Sequence, residues 1–259
     1  MSGVTCHIGG LALLGPGLPG WAASQAVLLG EQPWQDAPIV VPPPAMLAPT
    51  ERRRTSLVVR LALAASTEAA EASGLAPDTL ETVFASSNGD GAVVGAILET
   101  LATPGGEVSP TQFHNSVHNA AAGYWGIGAH STQPSISIGC HLDSFPLGLL
   151  HAAARQVPVL FCAYDAPLPN PLAELQPTEF PFAMACVVTP EPTAATRARL
   201  TLRYCVGEAA PAASPWQVLE RGNPAARALP LLAALAAGRP AQLTLPLLDG
   251  ARLEIEVTP

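Results

Sequence analysis

An α/β fold built on a mixed sheet is what this 259-residue sequence predicts, and three observations predict it. Runs of β-rich apolar residues alternate along the chain with segments of helical period. Two of those runs, PVLFCAYDA (158–166) and FAMACVVTP (182–190), are apolar almost throughout, as strands buried on both faces are. Clusters of Gly, Pro, Asn and Asp punctuate the intervals between them.

The first strand is expected over 4–8, followed by the loop GGLALLGPGLPG and a helix around 21–30. Residues 33–50 hold six prolines and little periodicity, and read as an extended loop. A helix over 51–73 sets Leu57, Leu61, Ala64 and Ala65 at helical spacing and stops at Gly74. TVFASS (82–87) is a strand closed by the turn signal Asn88-Gly89-Asp90-Gly91. A helix covers 91–102 and a Pro/Gly loop 103–110. Ser109-Pro110 then open a helix, with proline in its first turn, that carries QFHNSVHNAAAGYWGIG. Residues 135–139 (SISIG) form a strand and 145–156 a helix, and RLTLRYCVG (199–207) is a further strand. The tail reads as a Pro/Ala-rich loop over 208–227, a short helix over 229–237, and two strands within 241–257 around the hairpin signal Asp249-Gly250.

Only 12% of the residues are charged, against about 25% in an average soluble domain. Two readings fit: part of the surface is covered by a partner, or the composition is simply biased toward Ala and Pro. All 12 basic residues are arginines, and the net charge is -8. With no basic stripe legible along the chain, nucleic-acid binding is not expected, because phosphate neutralisation supplies most of that affinity. The one cluster, Arg52-Arg53-Arg54, reads either as a solvated helix start or as a docking spot for an acidic protein. The five cysteines, Cys6, Cys140, Cys162, Cys186 and Cys205, are odd in number and form no CxxC. Cys162 and Cys186 sit in apolar runs as small buried hydrophobes, and a reducing cytosol is the expected compartment. No signal peptide is expected at the N-terminus, and no stretch is apolar enough to span a bilayer.

No Walker motif, GxGxxG or GxSxG occurs, and NGDG lacks the alternating acids of an EF-hand, so Asp90 reads as a turn residue. On one helix, His114 and His118 share a face, as zinc ligands do; a third ligand is lacking. The plainer reading is a hydrogen-bonded pair at a helix surface or interface, so neither metal nor cofactor is expected. Tyr124 and Trp125 are expected in the core.

The segments SPTQFHNSVHNAAAGYWGIG, PSISIGC and PVLFCAYDA together resemble the N-terminal half of β-ketoacyl synthases. They are most similar to the short synthase-like chain-length factors of aryl-polyene pathways. GGLALLGPGLPGW, ERRRTSLVVRLAL and VFASSNGDG fit the same subgroup, so the resemblance covers 1–190, with 191–259 as a strand/helix extension of the same domain. It implies a thiolase-like fold, shortened, and a heterodimer with a catalytic β-ketoacyl synthase that draws on an acyl carrier protein. It further implies that Ser135 and Ser137 lie on an interface strand. Phe113, His114, Asn115, His118 and Asn119 are then structural or interface groups, and the arginines 52–54 a landing spot for the carrier protein.

A complete synthase of this kind uses a cysteine nucleophile and two histidines. Cys140 stands close to the nucleophile position, where a helix N-terminus would lower its pKa. Of the six histidines, none lies after His151, and bulky His141 and Leu142 follow the cysteine where small residues are usual. The expectation is therefore a non-catalytic partner subunit that helps shape the acyl tunnel. The alternative is a Cys140-dependent acyltransferase or thioesterase with His141 or His118 as base.

Overall fold

The computed structural model describes residues 3–176, 178–209 and 214–259. In chain order its elements are β1 (Val4–Leu14), α1 (Trp21–Leu28), α2 (Pro49–Arg52), α3 (Leu57–Ser73) and β2 (Glu81–Ala85). There follow α4 (Gly91–Ala102), α5 (Pro110–Ser116), α6 (Ala120–Ala129), β3 (Ser135–Ile138), α7 (Ser144–Ala154) and β4 (Val159–Asp165). The last are α8 (Leu172–Leu175), β5 (Phe182–Thr189), β6 (Thr196–Val206), α9 (Gln217–Gly222), α10 (Leu229–Ala237), β7 (Ala241–Leu247) and β8 (Ala251–Thr258).

The eight strands make one mixed sheet in the order β3-β2-β4-β5-β1-β6-β8-β7. β2 pairs in parallel with β3 and β4, and every other neighbouring pair is antiparallel. Strand alternation sends Val159, Phe161 and Ala163 to one face, and Leu160, Cys162 and Tyr164 to the other. The first face packs on α1, α7, α9 and α10, the second on α3 and α6. Both faces of β4 and β5 are buried, which is why these strands read as unbroken apolar runs.

Beyond β1 the layering changes. β8 alternates strictly, with Leu253, Ile255 and Val257 buried on the first face and Arg252, Glu254 and Glu256 half-exposed on the second. The sheet is thus covered on both sides over its middle and on one side over β6, β8 and β7.

Three expected boundaries are corrected. β1 runs on through Gly9-Gly10 to Leu14, passing register shifts against both neighbours, because the loop-like glycines form a bulge inside the strand. The helix placed at 51–73 is two helices. Ser56 caps the second, its Oγ accepting from the Val59 N–H at 3.2 Å, and Gly74 in the left-handed region closes it as expected. The loop expected over 208–227 lies partly outside the described residues, at 210–213; the described remainder holds α9 and a 3-10 turn at Pro224–Ala228. Tyr124, Trp125, Cys162 and Cys186 are buried, as expected.

Candidate functional site

β3 is an edge strand, paired only with β2 among the described strands. The inner side is well tied: Thr82 Oγ1 donates to Ser135 Oγ at 2.7 Å, and the Ser86 N–H donates to the Ile138 carbonyl at 3.0 Å. Ser137 Oγ is buried without a partner among the described residues. The outer side offers backbone groups that another strand can pair.

The strand runs into Gly139 and Cys140. Cys140 does not sit at an α-helix N-terminus. It caps a three-residue 3-10 turn, His141–Asp143, and α7 begins only at Ser144. The Cys140 N–H donates to Ser144 Oγ at 3.0 Å, and the Ser144 hydroxyl donates to the His141 carbonyl at 2.8 Å. Burial and the nearby Asp143 carboxylate push the thiol pKa up, which corrects the expectation of a thiol activated by a helix dipole. Neither candidate base meets the sulfur. His141 Nδ1 accepts the Leu142 N–H at 2.7 Å, and His118 Nε2 bonds the Ser86 carbonyl at 3.0 Å. A raised pKa disfavours the thiolate, the form that acts as nucleophile.

A clamp fixes this turn from below. Arg227 Nη1 lies 3.0 Å from Asp143 Oδ1 and 2.5 Å from the Leu142 carbonyl, and its Nη2 donates to the Pro246 carbonyl. Asp143 Oδ2 in turn accepts the Leu248 N–H at 2.8 Å. One buried pair thus ties the turn after β3 to the β7–β8 connection. Arg227→Met leaves Asp143 buried without its cation, which is expected to cost about 3 kcal/mol. Urea unfolding measures it, and adding Asp143→Asn should return part of the loss.

The segment FHNSVHN is not one continuous helix. Val117 is extended at ψ 139°, so α5 ends before His118, and the two histidines do not share a helix face. His118 is drawn to the Ser86 carbonyl through a gap that two glycines leave. A Cβ on Gly139 would lie 3.1 Å from its Nε2, and one on Gly89 3.3 Å from its Cδ2. His114 instead stacks edge-on against Tyr124, with ring centroids 5.7 Å apart. Among the described residues no three metal-ligating side chains come together. Asn115 is a buried bracket: its Nδ2 donates to the Arg54 carbonyl at 2.8 Å and its Oδ1 accepts the Tyr124 hydroxyl at 3.1 Å. Asn119 stands exposed at the start of α6 without capping it. Phe113 is 67% exposed.

Sequence reasoning passed over two features. α4 is apolar on all sides, yet of its residues only Gly91 is buried, and Leu98 and Leu101 are 50% and 65% exposed. An apolar helix packed on one side only presents an uncovered face; the run GAVVGAILETLA carried that signal. The second feature is Asp165, at the end of β4. Its Oδ1 accepts the Ser86 hydroxyl at 2.8 Å and the Asn88 N–H at 3.0 Å, while its Oδ2 is buried without a partner among the described residues. Ser86 also accepts the Gly89 N–H at 2.9 Å, so the acid organises the whole Ser86–Gly89 turn beside β3. Desolvation pushes the Asp165 pKa up to about 7 against the opposing pull of these hydrogen bonds.

Of the arginine cluster, Arg52 folds inward, its Nη2 donating to the Leu47 carbonyl at 2.9 Å and the Ala45 carbonyl at 3.3 Å. Arg54 pairs with Glu51 at 3.1 Å. Arg53 is exposed and has no carboxylate partner among the described residues.

The sequence profile of the β-ketoacyl synthase N-terminal domain matches residues 21–244. No curated protein matches in sequence. Among solved structures, a chain of the ketosynthase ApeO in complex with its chain length factor ApeC, from Xenorhabdus doucetiae, is similar with a TM-score of 0.74 at 21% identity, over 97% of this chain and 99% of that one. The ishigamide ketosynthase/chain length factor is similar with a TM-score of 0.68 at 17% identity, over 99% of each chain. The AntDE–AntF complex, a type II PKS acyl-carrier protein with its ketosynthase, is similar with a TM-score of 0.73 at 11% identity, over 100% of this chain and 99% of that one. At these identities the likeness is one of fold, and that fold is thiolase-like. Among the described residues no helix is long and apolar enough to cross a membrane.

Proposed function

The chain belongs to the β-ketoacyl synthase family, by its N-terminal domain, and from that premise we propose that it is a non-catalytic subunit of the chain-length-factor type. It pairs with a catalytic β-ketoacyl synthase, works on chains delivered by an acyl carrier protein, and helps wall the acyl tunnel of an aryl-polyene type pathway. The observation that carries this reading is the Cys140 turn: a cysteine near the family's nucleophile position whose pKa is raised and to which no imidazole is hydrogen-bonded among the described residues. Chemistry removed from that position leaves shape and association as what the subunit contributes. Tunnel depth sets the number of extension cycles, because a chain that meets a wall cannot be loaded again.

The pairing surface in this proposal is the free edge of β3 with Ser135 and Ser137, flanked by Phe113, His114 and Asn119 and extended by Leu98 and Leu101 of α4. Asn115 and His118 hold that surface from behind. Residues 191–259 belong to the same domain as an extension, a reading favoured by β6 pairing with β1 over Thr196–Leu202. The cell compartment in this reading is the cytoplasm, in keeping with five free cysteines.

The test is co-expression with the synthase of the same pathway, co-purification, and an elongation assay with and without this chain. A one-to-one complex that elongates only with both subunits present, and equally well with Cys140→Ala, is the expected result. Loss of elongation on Cys140→Ala with the complex intact would return the chemistry to this chain. Single-chain condensing activity would do the same.

A further inference from the structure

We propose that the open face of β6 is a docking surface for an acidic protein helix, that of the acyl carrier protein; this choice of occupant rests on the function proposed above. Strand alternation sets Arg199 and Arg203 on the sheet face opposite the buried Ala198, Leu200 and Leu202, Arg252 of β8 stands on the same face, and exposed Arg197 lies at the register shift just before them. Three of the chain's 12 arginines therefore share one face with two acids, Glu254 and Glu256, and a fourth stands at its end, in a molecule of net charge -8. Helix α3 lies over β1, β5 and β4, and leaves this part of the sheet to solvent.

The two acids are already engaged at one end of the stripe. Glu254 pairs with Arg252 at 2.9 Å, and Glu256 with Arg203 at 3.6 Å. At the other end, Arg197 and Arg199 are exposed and have no carboxylate partner among the described residues. The cross-strand neighbours of Arg199 are His7 and Thr258, neither of them an acid. Two arginines this close with no acid between them make a place where an anion is favoured. The Cα atoms of Arg197 and Arg199 are no more than about 7 Å apart, the reach of two extended residues. Carboxylates at i and i+4 on a helix stand about 6 Å apart, close enough for two arginine forks to engage both. A helix bearing carboxylates one turn apart thus fits the pair in charge and in spacing. The tripeptide of arginines at 52–54 offers less, because Arg52 is spent on backbone carbonyls and Arg54 on Glu51.

The experiment titrates the apo carrier protein of the same pathway into this chain, alone and bound to its synthase, across a range of salt concentrations. The Arg197→Thr/Arg199→Thr double variant is expected to weaken carrier binding by ~10-fold at low salt and to flatten its salt dependence. Arg53→Ser should leave affinity within about twofold, since one exposed charge contributes little. Circular dichroism melts and synthase co-purification should match wild type for both variants. A double variant with wild-type carrier affinity and salt slope would overturn the surface, as would a wild-type chain that binds no carrier in either form. If the chain ignores the synthase yet binds the carrier through Arg197 and Arg199, the surface stands and the proposed subunit role falls.

Discussion

Replacing Leu98 and Leu101 together by aspartate should weaken association with the partner synthase by at least ~100-fold, since buried interface anchors are worth about 2 kcal/mol or more each and a charge in a desolvated contact adds to the loss. Both side chains are half or more exposed in the single chain, so its own unfolding should change little. That separation makes the result interpretable. Analytical ultracentrifugation or a surface-binding assay reads the affinity, and a urea melt reads the fold. Wild-type affinity in the double variant would remove α4 from the pairing surface. A parallel variant at the strand edge, Ser137→Pro, tests the other half of the surface, because proline removes the N–H and disrupts extension of the sheet.

The second large effect is expected from pH. Asp165 has its pKa raised from 3.8 to about 7 by burial. The folded state thus holds this proton more tightly than the unfolded chain does, and the sign follows. Its contribution is fully present below about pH 4, declines as pH rises, and is lost once pH passes about 7. A shift of this size corresponds to on the order of 4 kcal/mol. Glu68, also raised by desolvation, acts in the same direction. Asp165→Asn should remove most of the slope. The asparagine carbonyl can still accept from Ser86 and Asn88, and its amide replaces an oxygen that has no partner among the described residues. Unfolding free energies at pH 4 and pH 8 decide it: the variant should come close to wild type at the lower pH and exceed it at the higher. A wild-type stability that rises between those values, with an unchanged slope in the variant, would show that Asp165 is charged throughout.

The pH effect also bears on the proposed pairing edge. Asp165 reaches β3 through Ser86: its carboxylate accepts the Ser86 hydroxyl, and the Ser86 N–H donates to the Ile138 carbonyl. His118, on the Ser86 carbonyl, and Asp90, which caps α4 through the Val93 N–H, are ionisable groups beside the same turn.

Much of the fold was legible in the sequence wherever local chemistry and tertiary packing agree. β4 and β5 read as strands because both of their faces are buried, which makes nearly every residue before their last apolar. The end of α3 was legible because Gly74 is a stop that needs no tertiary help. That no histidine follows His151 was visible too. Other features came only with the third dimension. The break after α5 depends on a carbonyl 32 residues away that captures His118. The raised thiol of Cys140 depends on where α7 starts and on which way Asp143 turns, and a spacing in sequence reports neither. The arginine stripe was invisible because its members alternate with buried residues and lie on two strands, and because the absence of a covering helix over β6 is a property of layers. A sequence determines which faces are apolar and where the chain must turn. Tertiary structure decides which of those faces remain open, because only packing distributes burial among them.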